Sequence, residues 1–367
     1  MTQSTSSYTR PPVITVSLQD LEHGNVSLEA LEQAFGPDSL GIILVKDLPE
    51  AFAALRRKLL SLSSYLADLP AEKLAQVERP EARYNVGWSH GKEKLDSGLP
   101  DLNKGSYYGQ PIHNAELEAK ARTLYPDLPD MTLENVWPDE SVLPGFASTF
   151  EEMCRLIIDV AALVARSCDR FGVASLQGYK AGTLENIVKT SISTKARLLH
   201  YFPPPPSRAA QGRPDSALGK TDDGWCGTHV DLGALTGLTS NLFVDESAHP
   251  PKAGQDGSLP DLPELDNHPD PEAGLWIKDR SGRTTQVNIP RDCLAFQTGQ
   301  ALEKITRGRF RAVPHFVRGG NPMVEGSRGI ARNTLAVFTQ PNLWEVVEEE
   351  TGMDFADLAK KMFERTY

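Results

Sequence analysis

Little in this chain is suited to covalent stapling. Its 367 residues hold four cysteines, Cys154, Cys168, Cys226 and Cys293, with no Cys-X-X-Cys pair. That spacing excludes a disulfide framework and a thiolate zinc site, and a chain of this length buries a large core without either. A reducing compartment is the expectation. Long apolar runs are missing too: residues 1–12 are polar, and the most apolar later stretch, 156–165, is broken by Asp159. Neither a signal peptide nor a membrane span is expected, so the reading is a cytoplasmic protein with no membrane partner. Basic charge is scarce, with 38 Lys and Arg against 49 Asp and Glu and a net charge of −11. No basic run with interleaved aromatics offsets this, so nucleic acid is not an expected partner. The sequence has no internal repeat. It leaves the oligomeric state open, a monomer being sufficient.

What is present reads as mixed structure. Residues 40–45 (Leu-Gly-Ile-Ile-Leu-Val) predict a strand, and the Ala- and Leu-rich stretch 49–66 predicts a helix. Between 83 and 114 Gly, Asn, Ser and Tyr accumulate, which predicts loops. Pro144-Gly145 precedes the clearest helix, whose apolar positions run from Phe146 and Phe150 to Cys168 and Phe171 in steps of three and four. Past Lys195 the texture changes to short β-type runs at 198–202, 235–244, 274–278, 286–289, 293–297, 310–317 and 333–339, the pattern of a sandwich or barrel. Two Pro-, Gly- and Asp-rich stretches, 203–223 and 247–273, interrupt it and read as solvent loops. Phe355, Leu358 and Met362 predict a last helix over 355–363. The expected division is an N-terminal region 1–140, a long helix and connection 141–190, a β domain 191–342 and a helical tail 343–367.

The chemistry concentrates in Trp225-Cys226-Gly227-Thr228-His229-Val230-Asp231. In an extended segment i and i+2 share a face, so the His229 imidazole and the Asp231 carboxylate can reach one ion together. A third ligand is offered by His315 in Ala312-Val313-Pro314-His315-Phe316-Val317. Two imidazoles and one carboxylate leave coordination positions open, as in ferrous oxygen-activating centres, but zinc hydrolases use the same donors. A His-X-Asp triplet is common by chance and a lone strand histidine is more often a core residue; the combination carries the weight. His23, His90, His113, His249 and His268 read as surface or supporting residues. Arg332-Asn333-Thr334 supplies a guanidinium and a hydroxyl on one strand face, able to grip one carboxylate.

Together these motifs resemble the Fe(II)/2-oxoglutarate-dependent dioxygenase superfamily, in the branch similar to isopenicillin N synthase. The likeness runs over roughly 195–342 through His229-X-Asp231, the 288–300 stretch, Gly308-Arg309-Phe310 with His315, and Arg332-X-Thr334. It extends more weakly to 41–45 and to Asn135-Val136-Trp137-Pro138. Thr334 stands where the family commonly has serine, and the inserts 247–273 and 319–329 lengthen the gaps between motifs. The resemblance implies an α+β fold with a double-stranded β-helix, or jelly-roll, core. It implies iron on His229, Asp231 and His315, and 2-oxoglutarate held by Arg332 and Thr334 with help from Tyr201, although either Tyr201 or His200 can face the cosubstrate. The implied activity is non-haem oxidation, by hydroxylation, of a small organic molecule of secondary metabolism, with O2 consumed and succinate and CO2 released. A 2-oxoglutarate-independent iron oxidase and an inactive jelly-roll binding protein are the alternatives. Cavity walls are expected from 84–90, 106–110 and the final helix.

Overall fold

The computed structural model describes residues 13–93, 100–203 and 225–366. Four strands come from the first third of the chain: β1 (Ile14–Ser17), β2 (Ile42–Lys46), β3 (Gly87–His90) and β4 (Lys104–Gly109). Nine more follow the long helix: β5 (Lys195–Tyr201), β6 (Cys226–His229), β7 (Leu235–Thr239), β8 (Leu242–Asp245), β9 (Gly274–Lys278), β10 (Thr284–Val287), β11 (Leu294–Thr298), β12 (His315–Arg318) and β13 (Ile330–Thr339). A nine-stranded sheet runs β1-β2-β11-β7-β13-β5-β4-β3, with β8 also on β13, and a four-stranded sheet runs β10-β9-β12-β6. Both contribute side chains to one cavity, so the core is the expected jelly-roll with helices outside it.

The outer layer is fixed by the helix Phe146–Ser175, whose apolar stripe Phe146, Phe150, Met153, Ile157, Val164 and Cys168 has no exposed surface. Each such side chain contributes roughly 1.5–3 kcal/mol by leaving water. The helix comes close to β7 because position 237 is glycine: a Cβ there would stand 2.4 Å from Ile157 Cγ2. The helix Ala51–Ala67 covers β5 and β13, and its Ser64 accepts a hydrogen bond from Asn333 of β13 at 2.8 Å.

Several expectations need correction. The segment 83–114 is not all loop, since β3 and β4 extend the large sheet. Two of its glycines make room rather than turns: a Cβ at Gly105 would lie 2.2 Å from the indole of Trp88 on the facing strand, and one at Gly109 2.9 Å from Phe150. The run 235–244 is two strands broken at Ser240-Asn241, and 310–317 becomes strand only at His315, after Pro314, which has no N–H to give a ladder. The insert 247–273 is a strap held to the helix Ala51–Ala67. Arg56 pairs with Glu264 at 2.7 Å, Leu262 N donates to Ser61 Oγ, and Tyr65 OH donates to the Pro260 carbonyl. Of the insert 203–223, residues 204–223 lie outside the described residues. The final helix, Phe355–Thr366, buries Phe355 and Leu358 against Leu128, Met131 and Leu343, away from the cavity. No helix among the described residues is long and apolar enough to cross a membrane.

Candidate active site

Strand register brings the two histidines together. β12 pairs with β6 so that His315 faces His229 directly, and the ring centroids lie 4.3 Å apart. Asp231 follows β6, and its Oδ1 is 3.7 Å from Nε2 of both histidines. One ligand atom from each of the three residues falls within 4.8 Å of the others. Asp231 and His315 are buried, whereas His229 stands exposed at the rim.

Neighbouring groups orient each donor. Thr236 Oγ1 donates to Asp231 Oδ2 at 2.6 Å, leaving Oδ1 free of that bond. His229 Nδ1 donates to the Gly227 carbonyl at 2.9 Å, so Nε2 is the nitrogen turned toward Asp231 and available to an ion. Gln297 lies 2.8 Å from His315 Nδ1 while its own Oε1 is buried without a partner. Exchanging the amide oxygen and nitrogen satisfies both, with His315 Nδ1–H donating to Oε1 and Nε2 bare. Protons are divided unequally between the imidazoles. Burial opposes charge on His229, but Cys226 and Asp231 raise it to about 9. Burial and the His229 charge lower His315 to about 4, so without a metal ion the pair carries one positive charge, on His229, whose Nε2 proton an arriving ion would displace.

The floor of the cavity is built by β5, β13 and β7. Arg332 is buried, its guanidinium carbon 4.6 Å from the Tyr201 ring centroid and 5.8 Å from that of Trp225. Its Nε and Nη1 have no hydrogen-bond partner, and no carboxylate pairs with it among the described residues. Burial depresses its pKa while Tyr201 opposes that shift. Thr334 lies one alternate position along β13, its hydroxyl only loosely tied, at 3.4 Å, to Thr239. Tyr201 faces the cavity and His200 does not: the latter turns to the other face of β5, 2.8 Å from Asn333 Oδ1. The remaining walls are mostly apolar, with Leu199, Leu238, Leu275, Ile289, Val317 and Phe338, beside the polar Arg197, Cys226 and Asn241.

No family model matches the chain. In sequence it is similar to the 2-oxoglutarate-dependent dioxygenase ecdK of Aspergillus rugulosus, 25% identical over 288 residues that span 75% of this chain and 71% of the relative. In structure it is similar to a full-length Neurospora crassa protein crystallised in complex with alpha-KG, at a TM-score of 0.65 and 19% identity over 96% of each chain. A dioxygenase for auxin oxidation from rice gives a TM-score of 0.55 at 14% identity, again over 96% of each chain.

The chain is similar in sequence to a 2-oxoglutarate-dependent dioxygenase, and it shares its fold with a protein crystallised with alpha-KG.

The cofactors that this similarity implies, Fe(II) with 2-oxoglutarate and O2, can be set against these residues. Two imidazole nitrogens and one carboxylate oxygen form a donor set suited to a ferrous ion with vacant positions. The unpartnered guanidinium edge of Arg332 is a buried cation that asks for an anion, which the far carboxylate of 2-oxoglutarate provides. These cofactors therefore fit. Two residues, one behind the cavity wall and one lining it, carried no role in the sequence reading. Trp225 opens the motif segment yet only its packing against Tyr201, with ring centroids at 5.2 Å, places it beside Arg332. Arg197 alternates with Tyr201 along β5, a signal the sequence did contain. The expected walls at 84–90, 106–110 and the final helix line none of the cavity among the described residues.

Proposed function

We propose that this chain is a non-haem Fe(II)- and 2-oxoglutarate-dependent dioxygenase that hydroxylates a small organic metabolite, with His229, Asp231 and His315 as the metal ligands and Arg332 with Thr334 holding the cosubstrate. The observation that carries this reading is the pairing, in one cavity, of a three-donor cluster with an uncompensated buried arginine. When bound, iron and 2-oxoglutarate supply the oxidising power: one oxygen atom of O2 enters succinate as CO2 leaves, and the other enters a C–H bond of the substrate. The protein's own share is orientation and dryness. Thr236 and the Gly227 carbonyl fix Asp231 and His229, Gln297 fixes the His315 tautomer, and the Tyr201 and Trp225 rings hold the Arg332 guanidinium without neutralising it. The apolar walls exclude water from the reacting centre. Assignment to the isopenicillin N synthase-like branch and to secondary metabolism is part of the same proposal.

The test is anaerobic titration with Fe(II) and 2-oxoglutarate, following the visible metal-to-ligand charge-transfer absorption. Wild type is expected to develop the band and Asp231→Ala to lose it. Arg332→Met should weaken 2-oxoglutarate binding on the order of 10–100-fold with metal uptake intact, the effect of removing one charge-assisted contact. Substrate oxidation with no 2-oxoglutarate requirement would overturn the reading in favour of an oxidase. Absence of both metal and cosubstrate binding would favour a binding protein without catalysis.

A further inference from the structure

Two arginines face the cavity, and their surroundings differ in kind. Arg332 lacks a counter-charge, whereas Arg197 is fully compensated. In the β5–β13 register Arg332 stands beside Tyr201 and Arg197 beside Ala336, which puts the backbone positions of the two arginines roughly 13 Å apart along the strand direction. On the other side of β13, Ala336 is level with Leu238, one alternate position from Thr236, whose hydroxyl holds Asp231. Arg197 is thus at the metal-ligand end of the floor and Arg332 at the far end.

The Arg197 guanidinium is fixed on three sides. Nε and Nη2 donate to Ser106 Oγ at 3.0 and 2.9 Å, Nη2 also donates to Glu93 Oε1, and the Tyr108 ring lies beneath at 5.0 Å. These bonds use Nε and Nη2 and, among the described residues, leave Nη1 without one; the side chain, 15% exposed, lines the cavity. Glu93 is shared with Lys104 at 3.1 Å, and Lys104 meets Asp101 at 2.5 Å, so two cations and two carboxylates cancel. Burial alone would push the Glu93 carboxyl up, but Arg197 and Lys104 outweigh it and hold it down to about 2.

This balance decides what Arg197 can take. A second anion brought to Nη1 would meet Glu93 as well and gain little. The rest of the cavity closes its own charge: Asp231 leaves a divalent ion with one net positive charge, Arg332 adds another, and dianionic 2-oxoglutarate cancels both. What stays unanswered is an N–H edge in a chamber walled by Leu199, Leu238 and Phe338. Such a donor is satisfied by an oxygen acceptor that carries no charge.

We propose that Arg197 Nη1 is a specificity-determining donor for the primary substrate, and that this substrate is an uncharged, mainly apolar molecule bearing a carbonyl or hydroxyl oxygen. The inference rests on the function proposed above and adds to it the charge class of what is oxidised.

The full chain, saturated with Mn(II) and 2-oxoglutarate so that Arg332 is occupied, is mixed with millimolar benzamide, acetophenone and benzyl alcohol or with benzoate and phenylacetate. Paramagnetic broadening of the probes' proton NMR signals reports their approach to the metal. The neutral probes are expected to broaden, with the acids at least about tenfold weaker binders, a difference of roughly 1.4 kcal/mol. Arg197→Gln should lose neutral-probe binding by about tenfold while its dissociation constant for 2-oxoglutarate stays at the wild-type value. Arg197→Lys keeps a cation for Glu93, and so guards against a folding defect, but lacks the planar fork and should lose the same binding. Acids binding as tightly as the neutral probes, no neutral probe binding at all, or a folded Arg197→Lys protein that binds them like wild type would each overturn the inference. If wild type takes up neither Mn(II) nor 2-oxoglutarate, the functional reading itself fails and takes this one with it.

Discussion

Asp231, proposed above as a metal ligand, illustrates how a carboxylate is aimed by a residue outside the donor cluster. Thr236 Oγ1 holds one carboxylate oxygen at 2.6 Å and thereby presents the other to both histidines. Thr236→Val keeps the shape and removes the hydrogen bond. Metal affinity should fall roughly tenfold, the usual penalty for losing an outer partner of a ligand, while the thermal midpoint of the metal-free protein changes little. Isothermal titration with Mn(II) checks it. At this scale the sequence was informative where alternation sufficed: His229 with Asp231, and Arg332 with Thr334, are each two positions apart on an extended segment. It was silent where partners are remote. Nothing in the neighbourhood of Arg197 announces Glu93, and nothing near Arg332 announces that Trp225 lies against Tyr201, because those contacts join segments far apart in the chain that belong to no common strand pair.

Elements were legible when their periodicity was strong and obscure when glycine was doing something other than turning the chain. The helix Phe146–Ser175 follows its apolar stripe closely, but β4 hid behind Gly105 and Gly109, and β3 with it. Glycine also sets the distance between the helix and β7. Gly237→Ala would drive a methyl group into Ile157 and, at 3.1 Å, into Phe296 Cε1, so a loss of about 1–3 kcal/mol is expected from overpacking, measurable by urea unfolding. The join between the segment around residue 93 and the sheet makes a second prediction. Glu93 titrates near 2 in the folded chain against 4.5 for the free group, so its contribution to stability is fully present above about pH 4.5 and is lost as pH falls toward 2. Glu93→Gln should therefore destabilise by about 1–2 kcal/mol at pH 7, a figure reduced because the side chain is 33% exposed. Thermal melts of both proteins from pH 7 to pH 2 should show the gap closing through that window; a gap that widens on acidification would contradict the assignment.

At the scale of the whole molecule the jelly-roll was readable from many short strands, yet its closure was not. The strands that cradle the two histidines are far apart in sequence, and only the β6–β12 register puts His229 opposite His315. The same holds for the strap 247–273, whose composition reads as solvent loop but whose Leu262, His268 and Asp270 are buried through contacts with distant partners. Proline and glycine describe local backbone freedom; they do not report an ion pair such as Arg56 with Glu264 that removes it.

The placement of His229 has a mechanical corollary. β6 is the last strand of the smaller sheet among the described residues, four residues long and partly exposed. An ion shared between His229 and His315 would act as a rivet, fastening that outermost strand to its neighbour where few backbone bonds do so. Amide hydrogen exchange over Cys226–His229 should accordingly slow when Mn(II) and 2-oxoglutarate are added, with the interior of β13 unchanged, which would make loading with metal the event that finishes the barrel's rim.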